Sequence, residues 1–169
     1  MSIFIESYRR VKPALPIVLV LVVLLVVRAY VQRNVADGEA PMISSQYLDG
    51  SPVLLSSYQG KPVMVHFWAT WCGICRLEEQ SINNIAKDHA VITIAMQSGE
   101  QEEIVEYLTA QGLDFPVISD ANASIALTYG VKGVPASFIL DADGQIRFIE
   151  MGYSTEAGLR FRLWLASWI

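Results

Sequence analysis

The chain has 169 residues, 53% of them hydrophobic, which is enough for one domain whose core needs no framework of disulfides. Its charge is uneven, because residues 37–169 carry 7 basic and 16 acidic side chains, a net charge of −9 against −5 for the whole chain. So acidic a domain is unsuited to binding nucleic acid, and we expect no nucleic-acid partner.

The first predicted element is a membrane anchor behind a basic start. Residues 1–12 include Arg9, Arg10 and Lys12, and residues 13–31 carry a single charge, Arg28. A helix of that length measures about 28 Å, close to the hydrocarbon thickness of a bilayer. The sequence therefore predicts a cytoplasmic N-terminus at 1–12, a transmembrane helix at 13–31 and a linker at 32–40, with the remainder exported according to the positive-inside rule.

A cleaved signal peptide is the alternative to this anchor, since it also has a basic start and an apolar centre. The residues after the apolar run include Arg28 and Arg33 and offer no clear pair of small residues for cleavage, which favours the anchor. Both interpretations export the domain. In a Gram-negative bacterium the anchor would cross the inner membrane once, and the domain at 41–169 would lie in the periplasm.

Strands and helices alternate through the predicted domain at 41–169. Apolar runs predict strands, some of them buried on both faces, and the Asp141–Gly144 turn predicts a hairpin. The predicted strands are 42–48, 53–55, 63–68, 91–96, 115–118, 137–140 and 145–150. Helices are predicted at 72–87, after a capping box at 98–101, after Asp120, and near 154–168, where Leu159, Leu163 and Trp164 or nearby residues are expected to be buried. This order predicts an α/β fold with a mixed central sheet and helices on both faces.

The chain contains two cysteines, Cys72 and Cys75, which follow the predicted strand 63–68. A thiol at the start of a helix faces free backbone N–H groups and the positive end of the helix dipole, so its thiolate is favoured. Residues three apart on a helix are neighbours, which brings the second sulfur within bonding range of the first. The pair is therefore predicted to open and close as a redox-active disulfide with Cys72 as nucleophile.

A structural disulfide and half of a zinc site are the alternatives for this pair. Zinc normally takes four ligands, and the chain could add only His66, His89 or carboxylates, without a second pair at metal-site spacing. Dithiol chemistry is favoured, and we expect neither a metal nor another cofactor.

The segment from Phe67 to Arg76, followed by Gly133-Val134-Pro135 before a hairpin, resembles thioredoxin-fold proteins. The early strands, Gly60-Lys61-Pro62, the inserted helix near 100–111 and the membrane tether more closely resemble the TlpA/ResA group of bacterial envelope thioredoxins. Within that group the chain is similar to the suppressor-of-copper-sensitivity D (ScsD) type of protein disulfide oxidoreductase. The resemblance covers about residues 41–165.

The resemblance implies a thioredoxin fold in which Pro135 is a cis-proline facing the cysteines. It also implies that Val134 presents backbone groups to a bound peptide and that Gly152 allows close approach of the backbone. Trp71, next to the nucleophile, is predicted to shield the sulfurs and to form part of the substrate-binding surface.

Three further side chains are candidates for supporting the cysteines. His66 stands where thioredoxin has an acidic residue, and it is either a neutral, hydrogen-bonded core histidine or a proton relay to Cys75. Arg76 either lowers a thiol pKa or lies in solvent, and Glu78 matches an acidic position of the TlpA-like motif or is a surface charge. Gln80 replaces the proline that kinks the helix in relatives, which predicts a straighter helix or one bent by other means.

The predicted function is a thiol-disulfide oxidoreductase that acts on cysteines of exported proteins and is reset by a membrane electron-transfer partner. Cys72 forms a mixed disulfide with the substrate, and Cys75 resolves it. Two alternatives stay open: a dedicated reductant for cytochrome c or copper-site assembly, and a copper-binding module that uses the two cysteines as soft ligands.

Overall fold

The computed structural model describes residues 14–32 and 35–169, so the predicted cytoplasmic segment 1–12 lies outside the described residues, as do residues 13, 33 and 34. The chain divides into two units, one ending at Val35 and the other formed by Ala36–Ile169. In the first, helix α1 covers Ala14–Gln32, and its side chains are described for residues 16–27. Within the described part of the chain, no helix is both long and apolar enough to cross a membrane.

The strands of the second unit are β1 Gly38–Glu39, β2 Ser44–Gln46, β3 Pro52–Leu54, β4 Val63–Trp68, β5 Ala90–Met96, β6 Val117–Asp120, β7 Ala136–Leu140 and β8 Gln145–Met151. Six of them form a mixed sheet with strand order β1-β8-β7-β4-β5-β6. Strands β4, β5 and β6 run parallel to one another, and the remaining pairs of this sheet are antiparallel. A separate two-stranded sheet pairs β2 with β3. The predicted mixed α/β sheet is confirmed.

Helices pack on the sheet. Successive side chains of β4 point alternately to its two faces. Met64 and Trp68 share one face, where they join the core cluster that contains both cysteines. Phe67 points to the other face and packs against Tyr129 and Phe138. The helices of this unit are α2 Glu79–Ala86, α3 Gln101–Gln111, α4 Ser124–Thr128 and α5 Glu156–Ala166.

Within the segment predicted as a linker, 32–40, Gly38 and Glu39 form β1, which pairs with β8 at the edge of the sheet. Two residues paired through backbone hydrogen bonds carry no hydrophobic pattern, so the sequence offered no sign of this strand.

The helix predicted to begin at Cys72 begins later and in two pieces. A 3₁₀ turn covers Cys75–Leu77, and α2 begins at Glu79. Glu78 separates them with φ −119°, outside the usual helical range, while its carboxylate accepts a hydrogen bond from the backbone N–H of Ser154. The helical segment is therefore interrupted at a buried carboxylate. A straighter helix, or one bent by other means than proline, stays a prediction for Gln80.

Two side-chain predictions outside the cysteine segment are wrong. The capping box uses Glu100 and Glu103 instead of Ser98, whose hydroxyl accepts a hydrogen bond from the N–H of Thr70. Trp164 is 54% exposed, whereas Leu159 and Leu163 are buried as predicted. Successive side chains of an α-helix are separated by about 100°, so Trp164 points away from the helix face on which Leu163 is buried.

Candidate active site

The cysteines lie just beyond the carboxyl end of the central strand β4. Cys72 and Cys75 form a disulfide with their Cα atoms 5.3 Å apart. Cys72 retains 6% of its surface exposed, whereas Cys75 is completely buried. An incoming thiol or disulfide can therefore reach only the Cys72 sulfur from solvent, and Cys75 is placed to react with Cys72.

Two backbone groups lie next to the Cys72 sulfur. The N–H of Cys75 points at Cys72 Sγ from 3.2 Å, and the carbonyl oxygen of Val134 lies 3.6 Å from the same atom. When the disulfide is open, the N–H favours a negative charge on Cys72. The helical segment predicted to start at Cys72 starts with the 3₁₀ turn at Cys75. The Cys72 sulfur nevertheless faces a backbone N–H donor.

The loop opposite the disulfide contains Val134 and Pro135, joined by a cis peptide bond. Val134 is partly exposed and Pro135 is buried. The N–H of Gly152 donates to the carbonyl oxygen of Pro135 over 2.8 Å, and Gly152 has φ +89°. A side chain at Gly152 would be strained in that conformation, so glycine permits this close backbone contact.

Trp71 lies on the surface beside the disulfide, 59% exposed, with its indole N–H donating to the carbonyl oxygen of Gln97 over 2.9 Å. Ile74 and Leu77 are also exposed nearby in the sequence. Gln97 and Ser98, which accept hydrogen bonds from Trp71 and Thr70, were not predicted as site residues. The sequence did contain a signal for these contacts. Parallel strands such as β4 and β5 end at the same edge of a sheet, so the residues that follow them lie close together.

Glu78 is a buried carboxyl group, 1% exposed, so its alternative interpretation as a surface charge is wrong. One oxygen accepts from the N–H of Ser154 over 2.8 Å, and the other lies 3.8 Å from Nε2 of His66. Burial raises the pKa of Glu78 to about 7, although the Ser154 hydrogen bond opposes that increase. Glu78 directly follows the 3₁₀ turn that begins at Cys75, and both side chains are buried.

His66 lies in the core, where its Nδ1 is 2.9 Å from the hydroxyl oxygen of Ser137. Burial lowers the pKa of His66 to about 3, so the ring is neutral at physiological pH. These observations fit the predicted neutral, hydrogen-bonded core histidine. Ser137 and Ser154 contribute to the site although the sequence analysis did not single them out.

Arg76 is exposed, donates to the carbonyl oxygen of Thr70 over 3.4 Å, and lies over the ring of Tyr107. Gln80 donates to the carbonyl oxygen of Gln111 at the end of α3 over 3.1 Å. Glu79 accepts a hydrogen bond from the Tyr107 hydroxyl. These contacts fasten the inserted helix α3 to the segment that follows the cysteines. Among the described residues, no group of three or more His, Cys, Asp or Glu side chains is placed to hold a metal ion.

Comparison with known proteins identifies the family to which the chain belongs. The model of the Redoxin family matches residues 36–160, which include both cysteines and Pro135. The chain belongs to the Redoxin family. A thioredoxin-like protein of Haemophilus influenzae is 30% identical over 157 residues, which cover 92% of this chain and 93% of that protein. The thiol-disulfide oxidoreductase ResA of Bacillus thuringiensis is 36% identical over 112 residues, 64% of this chain and 65% of the relative.

Solved structures agree with this membership. A thiol:disulfide interchange protein of the thioredoxin family from Chlorobium tepidum superposes with a TM-score of 0.68 at 26% identity, covering 78% of this chain and 97% of that one. The predicted thioredoxin-like fold and the predicted activity class, a thiol-disulfide oxidoreductase with a Cys72–Cys75 disulfide, are confirmed.

Proposed function

We propose that this redoxin is a membrane-tethered thiol-disulfide oxidoreductase that acts on cysteines of exported proteins. The observation that carries the proposal is the unequal exposure of the two bonded cysteine residues, 6% for Cys72 and 0% for Cys75. Such a pair has one sulfur for the substrate and one for resolution. A membrane electron-transfer partner resets the pair after each cycle, and the ScsD type is the proposed subtype.

In the reducing direction the Cys72 thiolate attacks a substrate disulfide, forming a bond between Cys72 Sγ and one substrate sulfur while the other substrate sulfur leaves as a thiolate. The Cys75 thiolate then attacks Cys72 Sγ, which forms the Cys72–Cys75 bond and releases the first substrate sulfur with its electron pair. The substrate gains two electrons and the enzyme loses two. Trp71, Val134 and Pro135 form the surface on which the substrate segment docks.

Glu78 is the proposed acceptor for the proton that Cys75 must lose before it attacks. Its carboxyl group is buried three residues after Cys75 in the chain, and burial raises its pKa to about 7. A carboxylate with that pKa can both take and return a proton near neutral pH.

Replacing Glu78 by glutamine should therefore slow resolution of the mixed disulfide. In the wild type, the rate of resolution should rise with pH through about 7 as Glu78 ionises. In Glu78→Gln this pH dependence should disappear, and the rate above pH 7 should be lower by about 100-fold or more. Single-turnover release of a coloured aromatic thiol from Cys72 measures the rate directly. Glu79→Gln is the matched control, because Glu79 faces Tyr107, and an unchanged pH profile in Glu78→Gln would contradict the proposed acceptor.

The tether is proposed from the apolar run at 13–31, part of which lies outside the described residues. The large apolar side chains from Ile17 to Val27 are each between 49% and 66% exposed in α1. A helix that is apolar around its whole circumference favours lipid over water. The proposed location is a bacterial inner membrane crossed once, with the domain in the periplasm.

Fusions to topology reporters test the tether. Alkaline phosphatase joined after Ile169 should be active and green fluorescent protein should be dark, because the positive-inside rule exports everything after the anchor. The fusion should stay in the membrane fraction at the size of the uncleaved chain. A soluble, shortened fusion would indicate a cleaved signal peptide, and a fluorescent C-terminal fusion would contradict export.

Insulin reduction separates the oxidoreductase from the copper-binding alternative. The purified full-length protein with dithiothreitol should reduce insulin disulfides well above the rate of dithiothreitol alone, since Cys72 is reachable and Cys75 can resolve. Cu(I) titration with a competing chelator is run on the same preparation. Stoichiometric, tight Cu(I) binding without insulin reduction would favour the copper-binding module.

A further inference from the structure

A row of polar residues crosses the sheet face that carries the disulfide. His66 of β4 is in register with Thr93 of β5 and Ser137 of β7, and Ser137 is in register with Glu150 of β8. Residues in register lie on the same face of a sheet, and this face holds Met64, Trp68 and both cysteines. Polar groups in an apolar core cost free energy unless they are paired, so the partners of each member of the row decide its effect.

His66 connects two other members of the site. Its Nδ1 is 2.9 Å from Ser137 Oγ, and its Nε2 is 3.8 Å from Glu78 Oε1. All three side chains are buried, with exposures between 1% and 3%. Since the ring is neutral, one of its nitrogens carries a hydrogen and the other a lone pair.

The neighbours of the ring select one tautomer when Glu78 is ionised. A lone pair on Nε2 would face a carboxylate oxygen at 3.8 Å and be repelled, whereas an N–H there is attracted. Nδ1 then carries the lone pair, which accepts the hydrogen bond that the Ser137 hydroxyl donates. The ionised carboxylate thus selects the tautomer, Ser137 holds it by donating to Nδ1, and Nε2–H is directed toward Glu78.

We propose that His66 is a positioning residue, held by Ser137 with its Nε2–H toward Glu78, that stabilises the ionised carboxylate and so sets the pH at which Cys75 can lose its proton. This inference rests on the proposed role of Glu78. The proposed stabilisation of the Glu78 carboxylate depends on a histidine at the position where thioredoxin has an acidic side chain.

The other charged groups near the row do not supply this effect. Glu150 on β8 is paired with Arg162 of α5, with Oε1 and Nε 2.7 Å apart, so the two charges offset each other. Cys75 begins the 3₁₀ turn that Glu78 follows, and it is bonded to Cys72 in the oxidised protein. The hydroxyl group of Thr93 on β5 is uncharged and donates to the carbonyl oxygen of Pro116. On the helix that follows, Glu79 is directed to Tyr107.

Nuclear magnetic resonance of the oxidised full-length protein in detergent micelles tests the proposal without relying on catalysis. In the wild type, ¹⁵N shifts should show a neutral His66 with its hydrogen on Nε2 above the pH at which Glu78 ionises. The chain has two histidines, so His89→Gln assigns the spectrum and is the matched control. A hydrogen on Nδ1 at that pH would overturn the proposal, and this measurement needs no change at His66.

Variants then test the effect on Glu78, whose side-chain ¹³C resonance is assigned with Glu78→Gln. His66→Leu removes the donor and should raise the pKa of Glu78 by about 1 or more, because the ionised form loses a stabilising partner. His66→Gln supplies an amide N–H and should restore most of the wild-type value, and Ser137→Ala should give an intermediate rise. Equal values in His66→Leu and wild type, or an equal rise in His66→Gln and His66→Leu, would overturn the proposal.

The single-turnover pH profile separates this inference from the proposed function. The midpoint should move upward with the measured pKa of Glu78 in each variant, and His66→Leu should have no further effect in the Glu78→Gln background. If the pKa of Glu78 moves as expected but the rate does not follow, then His66 positions Glu78 and the proposed proton acceptor is wrong.

Discussion

Replacing Cys75 by serine should leave substrates attached to Cys72 as stable mixed disulfides. Cys75 is buried one turn after Cys72 and acts as an intramolecular nucleophile, which corresponds to an effective molarity of ~10⁵ M or more. A serine hydroxyl cannot replace it, because it does not ionise near neutral pH. We expect the mixed disulfides to persist at least about 10³-fold longer than in the wild type and insulin reduction to fall to the background rate. Non-reducing electrophoresis followed by mass spectrometry identifies the trapped proteins.

Cys72→Ser is the matched control for this experiment. The remaining thiol, Cys75, has no exposed surface, so it should capture no substrate although the two variants differ by a single sulfur. Trapping through Cys75 at a comparable yield would show that the assignment of nucleophile and resolving cysteine is reversed. The identity of the captured proteins also tests the alternatives: many exported cysteine proteins support a general oxidoreductase, whereas one cytochrome or copper-site assembly protein indicates a dedicated reductant.

Phe138→Ala should destabilise the domain more than any other change considered for this protein. Phe138 is fully buried on β7 and packs edge-to-face on Tyr129 and Phe67, with centroid distances of 5.1 and 5.7 Å. Removing such a ring leaves a cavity and costs about 3–5 kcal/mol in the free energy of unfolding. Urea unfolding followed by far-ultraviolet circular dichroism measures this loss as a shift of the midpoint.

Phe161→Ala provides the control for the stability experiment, because Phe161 is 58% exposed on α5. The same chemical change there should cost less than about 1 kcal/mol. Phe138 lies on the sheet face opposite the cysteines, so the folded Phe138→Ala protein should retain its rate of disulfide exchange. Equal losses of stability in the two variants would contradict the assignment of the Phe67, Tyr129 and Phe138 cluster to the core.

Local patterns predicted most of the fold and the reacting atoms. The buried strands β4 and β5, the hairpin of β7 and β8, and the cysteine pair each depend on residues within a few positions of one another. The prediction was weaker where distant segments decide the outcome. Ser137 and Ser154 lie 71 and 76 positions from their site partners His66 and Glu78, and neither carries a local pattern that indicates this role.

By itself the sequence determined that two thiols three positions apart follow a buried strand, and therefore that they can form a redox disulfide, because this depends on local spacing and local dipoles. Only the tertiary structure decided that Cys75 and Glu78 are buried while Cys72 and Trp71 are accessible. The burial of a side chain depends on the elements that pack over it. The same burial moves the pKa of Glu78 to about 7 and that of His66 to about 3, which no local pattern could have indicated.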